Sequence, residues 1–387
     1  MSSYLPDAIP LADVRRVLVT KLRHHGDVLL ASPVFAALAR AAPHVEIDAL
    51  VYRETAPMLA NHPAIAKLHA IDRALKREGL AARLRAERAL LSGLRARRYD
   101  LLIHLTEHPR GLSLAHLLRP RFAVTRERAR RSPLWQSAFT HFYRLPRHTP
   151  RHAVEENLDA LRRIGVQPRD DDKRLVLVPG ADADARAAAL LLEHGVAPFT
   201  FVHAHPGSRW LFKCWTPART AAFFDRVASD GFPIVVTGAP DARERALFEA
   251  TMAAAGPDTR ERVVDLTGRL ALAEVAAITA RARVFFGVDS APMHMAAAMG
   301  TPALALFGPS GEHEWGPWQV AHRVVASRRF ACRPCGIDGC GGGKVSECLT
   351  TLAVDDVYAA YLSLLGETRG RERAPDARAA ASAGASP

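Results

Sequence analysis

Long apolar runs are missing from this chain of 387 residues: no stretch approaches the ~20 apolar residues that a membrane-spanning helix needs. Also missing is a basic start followed by an apolar stretch, so MSSYLPDAIPLADVRR does not read as a secretory leader. Cysteine is scarce, five in all, and four of them crowd between Cys332 and Cys348, unlike a secreted disulfide framework. These absences point to a cytoplasmic protein. Neither half carries G-x-G-x-x-G or G-x-x-x-x-G-K-[ST], which removes the common dinucleotide and P-loop readings. The hydrolase elbow G-x-S-x-G and the zinc-protease helix H-E-x-x-H are absent as well. Aromatic stacking positions are not interleaved with the arginines, so a nucleic-acid-binding role has only net charge in its favour.

That charge is formally +12, and it asks for an acidic partner: nucleic acid, an anionic membrane surface or a phosphorylated substrate. Strands and helices alternate along both halves, which predicts two doubly wound α/β domains facing each other across a cleft. The boundary is expected in the polar stretch Gln167–Asp172, giving domains of 1–170 and 171–366. Residues 367–387, mostly Ala, Arg, Ser and Gly without an apolar period, read as a disordered tail. Leu175–Val178 reads as a strand. Arg73–Arg98 reads as one basic amphipathic helix with Leu80, Leu84, Leu90, Leu91 and Leu94 on its apolar side. With Arg119, Arg121, Arg126, Arg128, Arg130 and Arg131 it would seat a positive field in the first half; the bland alternative is a solvated face.

Val284–Ser310 organises the second half. Val284-Phe285-Phe286 is a buried strand, Asp289-Ser290 breaks it, and Pro292 sits where a helix's first turn tolerates proline. A helix opening there directs its free N–H groups to the strand's carboxyl end, a place that binds phosphates. Lys213 follows another strand, after the turn His205-Pro-Gly-Ser-Arg209. Lysine and helix N–H groups can hold a diphosphate without a metal; otherwise Lys213 is an ordinary loop lysine. His205 and His294 are either satisfied core residues or part of that site. In the first half, Gly26 is expected to make a tight turn before Asp27, beside Lys21, Arg23, His24 and His25. Asp27 is a helix N-terminal charge or a general base at the edge of a parallel sheet. Cys332, Cys335, Cys340 and Cys348, spaced C-x2-C-x4-C-x7-C, admit a small structural zinc site or else free thiols.

KLRHHGDVLLASPV, HAVEENLDALRRIG, HPGSRWLFKCW and GVDSAPMHMAAAMGTPALALFGPSGEHEWGPW together resemble the lipopolysaccharide core heptosyltransferases, the inverting glycosyltransferases of family 9, nearest the heptosyltransferase III type. The resemblance spans roughly Val14–Leu365. It implies a GT-B fold, with acceptor bound by the first domain and nucleotide sugar by the second. It implies ADP-L-glycero-D-manno-heptose as donor, a phosphorylated lipopolysaccharide core as acceptor, and no catalytic cofactor. The enzyme would work at the inner face of the inner membrane, without nucleic acid. Asp27 matches the proposed base, with Lys21, Arg23, His24 and Gly26 on the acceptor side. Lys213 matches the lysine at the donor phosphates, Glu244 the carboxylate on the ribose, and Asp289 the acid near the heptose. Ser208, Ser290, Ala291 and His294 complete the donor side. One departure stands out: members of the first type carry Thr-Gly where this chain has Ser290-Ala291. The rival readings are a type I or II enzyme acting at another core position, and a sugar-nucleotide-binding regulator that kept the fold without the chemistry.

Overall fold

The computed structural model describes residues 5–127, 132–146 and 150–369. Its chain divides into two compact units, Met1–Gly180 with His313–Trp318 and Ala181–Glu312 with Gln319–Pro387. Arg128, Arg130 and Arg131, and residues 370–387 of the expected tail, lie outside the described residues.

The first unit is built on six parallel strands: β1 (Arg16–Thr20), β2 (Glu46–Tyr52), β3 (Lys67–Ile71), β4 (Leu101–His104), β5 (Phe122–Arg126) and β6 (His141–Tyr143). Their spatial order is β3-β2-β1-β4-β5-β6. Val17 of β1 pairs with Ile47 on one side and Leu101 on the other. Val17, Leu18 and Val19 are fully buried, as a parallel strand covered on both faces requires. The chain builds outward from β1 to β3, then returns to lay β4 on the opposite side. That reversal, between β1 and β4, is the usual place of the ligand site in such sheets.

One buried ionic knot braces this sheet. Asp48 on β2 accepts from Tyr99 Oη at 2.6 Å and Arg97 Nε at 2.7 Å. Burial alone would raise its carboxyl, but hydrogen bonds from His69, Arg97 and Tyr99 bring it down to about 2. Arg97 therefore belongs to the fold rather than to a positive surface.

The basic helix differs from expectation in two ways. A short 3-10 turn, Ala74–Arg77, precedes it, and Gly79 in an extended conformation separates that turn from the helix Leu80–Arg97. Leu94 is fully buried and Leu90 and Leu91 pack beside it, whereas Leu80 and Leu84 are 68% and 47% exposed. Only the last turns of this helix reach the core, so its first turns stand in solvent with their leucines and arginines.

The second unit repeats the plan with β7 (Val202–His205), β8 (Ile234–Val236), β9 (Val263–Asp265), β10 (Val284–Val288), β11 (Ala303–Phe307) and β12 (His322–Ala326). Their order is β12-β11-β10-β7-β8-β9, all parallel. Here the reversal falls between β7 and β10. Phe223, Phe224 and Phe286 fill one face, and Tyr361 from the helix Val354–Glu367 stands edge-on to Phe223 with ring centroids 5.7 Å apart. The expected strand Leu175–Val178 has no ladder; Val176 N instead donates to Ser32 Oγ at 2.9 Å. A helix over Ala181–Glu193 follows. His313–Trp318 joins the first unit, where Trp318 stacks on His152 at 4.3 Å and donates from Nε1 to Lys173 O at 2.8 Å.

Candidate functional site

In the first unit, the loop after β1 carries Lys21 into a buried position. Its Nζ donates to Asn157 Oδ1 at 2.8 Å and to Leu105 O, just past β4, at 3.2 Å. Burial drives the ammonium down to about 8, against the opposing pull of Asp27's charge. Asn157 Nδ2 donates in turn to Leu30 O at 3.0 Å, at the end of the short helix that carries Asp27. One amide thus fixes both the lysine and the carboxylate's helix. Asn157 is the residue that sequence reasoning missed; the signal was an asparagine on the buried face of the helix Ala153–Arg162.

Asp27 sits in the first turn of the helix His25–Leu29. Its Oδ2 accepts from His24 N at 3.3 Å, and its Oδ1 lies 3.7 Å from Arg23 Nε. The carboxylate therefore caps the helix and keeps 15% of its side-chain surface open. Gly26 lies inside the first helical turn rather than in a left-handed turn ahead of it, because extended His24 makes the entry. His25 is spent structurally, its Nε2 lying 2.8 Å from Glu54 O.

In the second unit, the loops after β7, β10 and β11 converge at the reversal point. Lys213 Nζ lies 2.6 Å from Asp289 Oδ2, and Ser310 Oγ donates to the same carboxylate oxygen. Asp289 follows β10 directly and is buried; Ser208 is buried too, its Oγ accepting from Trp210 N at 3.3 Å. Ser290 is the N-cap of the helix Ala291–Ala298, yet its side chain makes no capping bond. Its Oγ is buried and finds no hydrogen-bond partner among the described residues. The expected row of free N–H groups from Ser290 to Met293 is thinner than the sequence suggested. Pro292 has no N–H, and Met293 N is bonded to Ser290 O at 3.1 Å. The hydroxyl of Ser290 adds a buried donor without a hydrogen-bond partner at the positive end of that helix. His294 is buried within the same helix.

Glu244 lies beyond β8. Burial raises its carboxyl while the N–H of Ala239, 2.8 Å from Oε2, opposes the rise. Gly207 passes so close that an added Cβ would sit 2.7 Å from Glu244 Oε2. His205 Nε2 lies 3.6 Å from that oxygen. Lys213, Asp289 and Ser290, with Glu244 in the first turn of the helix Ala242–Ala254, thus all lie beyond the carboxyl ends of three adjacent strands, β10, β7 and β8.

The four loop cysteines differ in burial. Cys348 is buried, its thiol pushed up by burial and by the neighbouring Cys340, Cys335 and Cys332, which are exposed. Even so, no three His, Cys, Asp or Glu side chains are gathered as a metal-ligand set among the described residues. The loop is held by its own backbone: Cys340 N donates to Val345 O at 2.7 Å, and Glu347 N approaches Cys340 Sγ at 3.4 Å.

Residues 87–345 match Glycosyltransferase family 9 (heptosyltransferase). The chain is 33% identical over 298 residues to lipopolysaccharide heptosyltransferase 3 of Escherichia coli, covering 77% of this chain and 84% of that one. Among solved structures, the family 9 glycosyl transferase of Veillonella parvula superposes with a TM-score of 0.78 at 24% identity, over 93% of this chain and 99% of its own. An Escherichia coli heptosyltransferase, WaaC, solved with ADP gives 0.68 at 19% identity, over 90% and 99%. The fold is α/β, of the GT-B class these enzymes share.

Proposed function

We infer, because the chain belongs to glycosyltransferase family 9, the heptosyltransferases, that it transfers L-glycero-D-manno-heptose from ADP-heptose to the lipopolysaccharide inner core, as an enzyme of the type III kind. The observation that carries the donor half of this reading is the orphan hydroxyl of Ser290 beside Asp289 and Lys213. A cation, a buried donor and a helix N-terminus in the sheet's reversal crevice suit a nucleotide diphosphate. The acceptor half rests on the first unit, where Asp27 and buried Lys21 stand at the equivalent reversal point.

In this mechanism Asp27 takes the proton from an acceptor hydroxyl as that oxygen attacks the anomeric carbon. The carbon–oxygen bond to ADP breaks on the opposite side, so the configuration inverts. Lys213 and Ser290 Oγ stabilise the charge that gathers on the departing diphosphate. The chain's own residues supply that stabilisation, and the reaction uses no catalytic cofactor.

The exposed first turns of the helix Leu80–Arg97, with Leu80 and Leu84 in solvent among arginines, support a further element of this reading. They suit contact with an anionic membrane surface, where a lipid-anchored acceptor is presented. No described helix is long and apolar enough to cross a membrane.

The test is ADP release from ADP-heptose in the presence of core acceptors truncated one sugar at a time. One truncation should support turnover and the next shorter one should not, which identifies the sugar modified. Lys213→Ala should weaken donor binding and turnover by about 10–100-fold, the cost of a charge-assisted contact. EDTA should leave the wild type active; an absolute need for a divalent ion would overturn the metal-free mechanism.

A further inference from the structure

A chain of buried polar groups beside the donor crevice fixes the proton positions on His205, and this has a consequence for the ligand. Thr279 Oγ1 lies 2.6 Å from Val275 O, and a carbonyl brings no proton, so the threonine hydroxyl donates there. In the next contact, at 3.0 Å, His203 Nδ1 must then be the donor to Thr279 Oγ1. Burial holds His203 neutral, and a neutral imidazole has one N–H. Its Nε2 is therefore bare and accepts from Thr237 Oγ1 at 2.8 Å. Having spent its proton on His203, the Thr237 oxygen accepts from His205 Nδ1 at 2.8 Å.

That sequence leaves His205 Nε2 as a lone pair. It faces Glu244 Oε2 at 3.6 Å, beyond hydrogen-bond reach and the spacing that two acceptors keep. Both side chains are more than nine-tenths buried. Burial lowers the imidazole to about 4, so protonating His205 does not resolve the mismatch near neutral pH. Gly207 keeps the space beside Glu244 clear. Two adjacent acceptors at the ends of β7 and β8 are an incomplete arrangement, which two adjacent O–H donors would complete.

We propose that His205 is a donor-binding residue: its Nε2 accepts a hydrogen bond from one ribose hydroxyl of the nucleotide sugar while Glu244 accepts from the neighbouring one. This rests on the nucleotide-sugar reading above and adds to it a second acceptor with a defined tautomer. The polar chain running back to Thr279 holds His205 in that tautomer, with the proton on Nδ1.

The experiment uses the full chain and three nucleotides: ADP, 2′-deoxy-ADP and 3′-deoxy-ADP, titrated by calorimetry. His205→Asn removes the Nε2 acceptor while its amide can still donate to Thr237. It should weaken ADP by about three- to tenfold, the range of one neutral hydrogen bond. Towards one of the two deoxy nucleotides it should match the wild type, because the partner hydroxyl is already gone. Equal weakening of all three nucleotides would make His205 a structural residue only. Unchanged ADP affinity would mean that a proton on Glu244 fills the gap. Nitrogen NMR of the wild-type ring needs no variant: it should show Nδ1 protonated and Nε2 as the nitrogen that shifts on ADP addition. An Nε2–H tautomer would overturn the inference while leaving the donor reading intact. A wild type that binds no ADP at millimolar concentration would overturn the donor reading itself, and this inference with it.

Discussion

At the scale of single residues, two jobs meet in Asp27 and can be separated. Its carboxylate caps the helix His25–Leu29 through His24 N and, in the proposed mechanism, is the base. Asp27→Asn keeps an oxygen for the cap but removes the base. Transfer should fall by about 10²–10⁴-fold, with donor affinity and thermal stability close to wild type. Turnover within a few-fold of wild type would remove Asp27 from the chemistry. Lys21 adds a pH signature. Its ammonium is lowered to about 8 by burial, with Asp27 and Glu156 opposing and Arg23 and Arg126 adding to the fall. The rate should decline as pH rises through about 8, as the positive charge beside Asp27 is lost. Stability should move the other way. With the folded value depressed, the unfolded chain holds the proton more tightly between about 8 and 10.4, so this group's contribution to stability rises across that window. A falling rate there is therefore not the onset of unfolding through Lys21. In Lys21→Met the alkaline limb should vanish from the pH–rate profile; its persistence would assign the limb to another group.

Among the elements, legibility in the sequence followed burial and punctuation. The strand–helix–strand stretch from Val284 to Phe307 was readable because its apolar runs are short and Pro292, Gly300 and Pro302 mark its corners. Phe122–Arg126, His141–Tyr143 and His322–Ala326 were not, since outer strands of a sheet mix polar and apolar residues and show no clean period. Leu175–Val178 shows the opposite failure: an apolar run whose backbone is satisfied by a serine side chain instead of a neighbouring strand. The site was half legible. Lys21, Lys213 and Asp289 announce themselves as charges beside strand ends, but Asn157 lies 136 positions from the lysine it holds, a pairing no local pattern encodes. The cysteine loop offers a separate test. Cys332, Cys335 and Cys340 are exposed, while Cys214 and Cys348 are buried with thiols pushed up, the former to about 12. A thiol reagent at neutral pH should label three of the five cysteines quickly and the other two only on unfolding. Protection of all four loop thiols, lifted by a chelator, would favour the zinc site.

For the whole molecule the question is where the excess of positive charge acts. Some of it is consumed by the fold: Arg97 by Asp48, Arg73 by Glu54, and Arg110 by Glu87. The arginines of the exposed helical turns are different. Arg83, Arg85 and Arg88 lie in solvent beside Leu80 and Leu84, a stretch whose leucines add nothing to the core. If this stretch meets an anionic surface that presents the acceptor, both residue classes should contribute, by different physics. Changing the three arginines to Gln should raise the acceptor KM and leave the donor KM alone. Its effect should fade as salt rises, because exposed charges are screened over about 8–10 Å near physiological ionic strength. Affinity for anionic liposomes should drop by up to about 100-fold, at roughly 1 kcal/mol per basic residue close to the surface. Leu80→Ser with Leu84→Ser should also weaken liposome binding, but with little salt dependence, since apolar insertion is not screened. Turnover on a soluble, truncated acceptor should survive the leucine changes, because those side chains touch no part of the proposed chemistry. If the arginine variant keeps the wild-type acceptor KM at low salt and still sediments with anionic liposomes, the basic helix is only a solvated face, and the excess charge must act elsewhere on the chain.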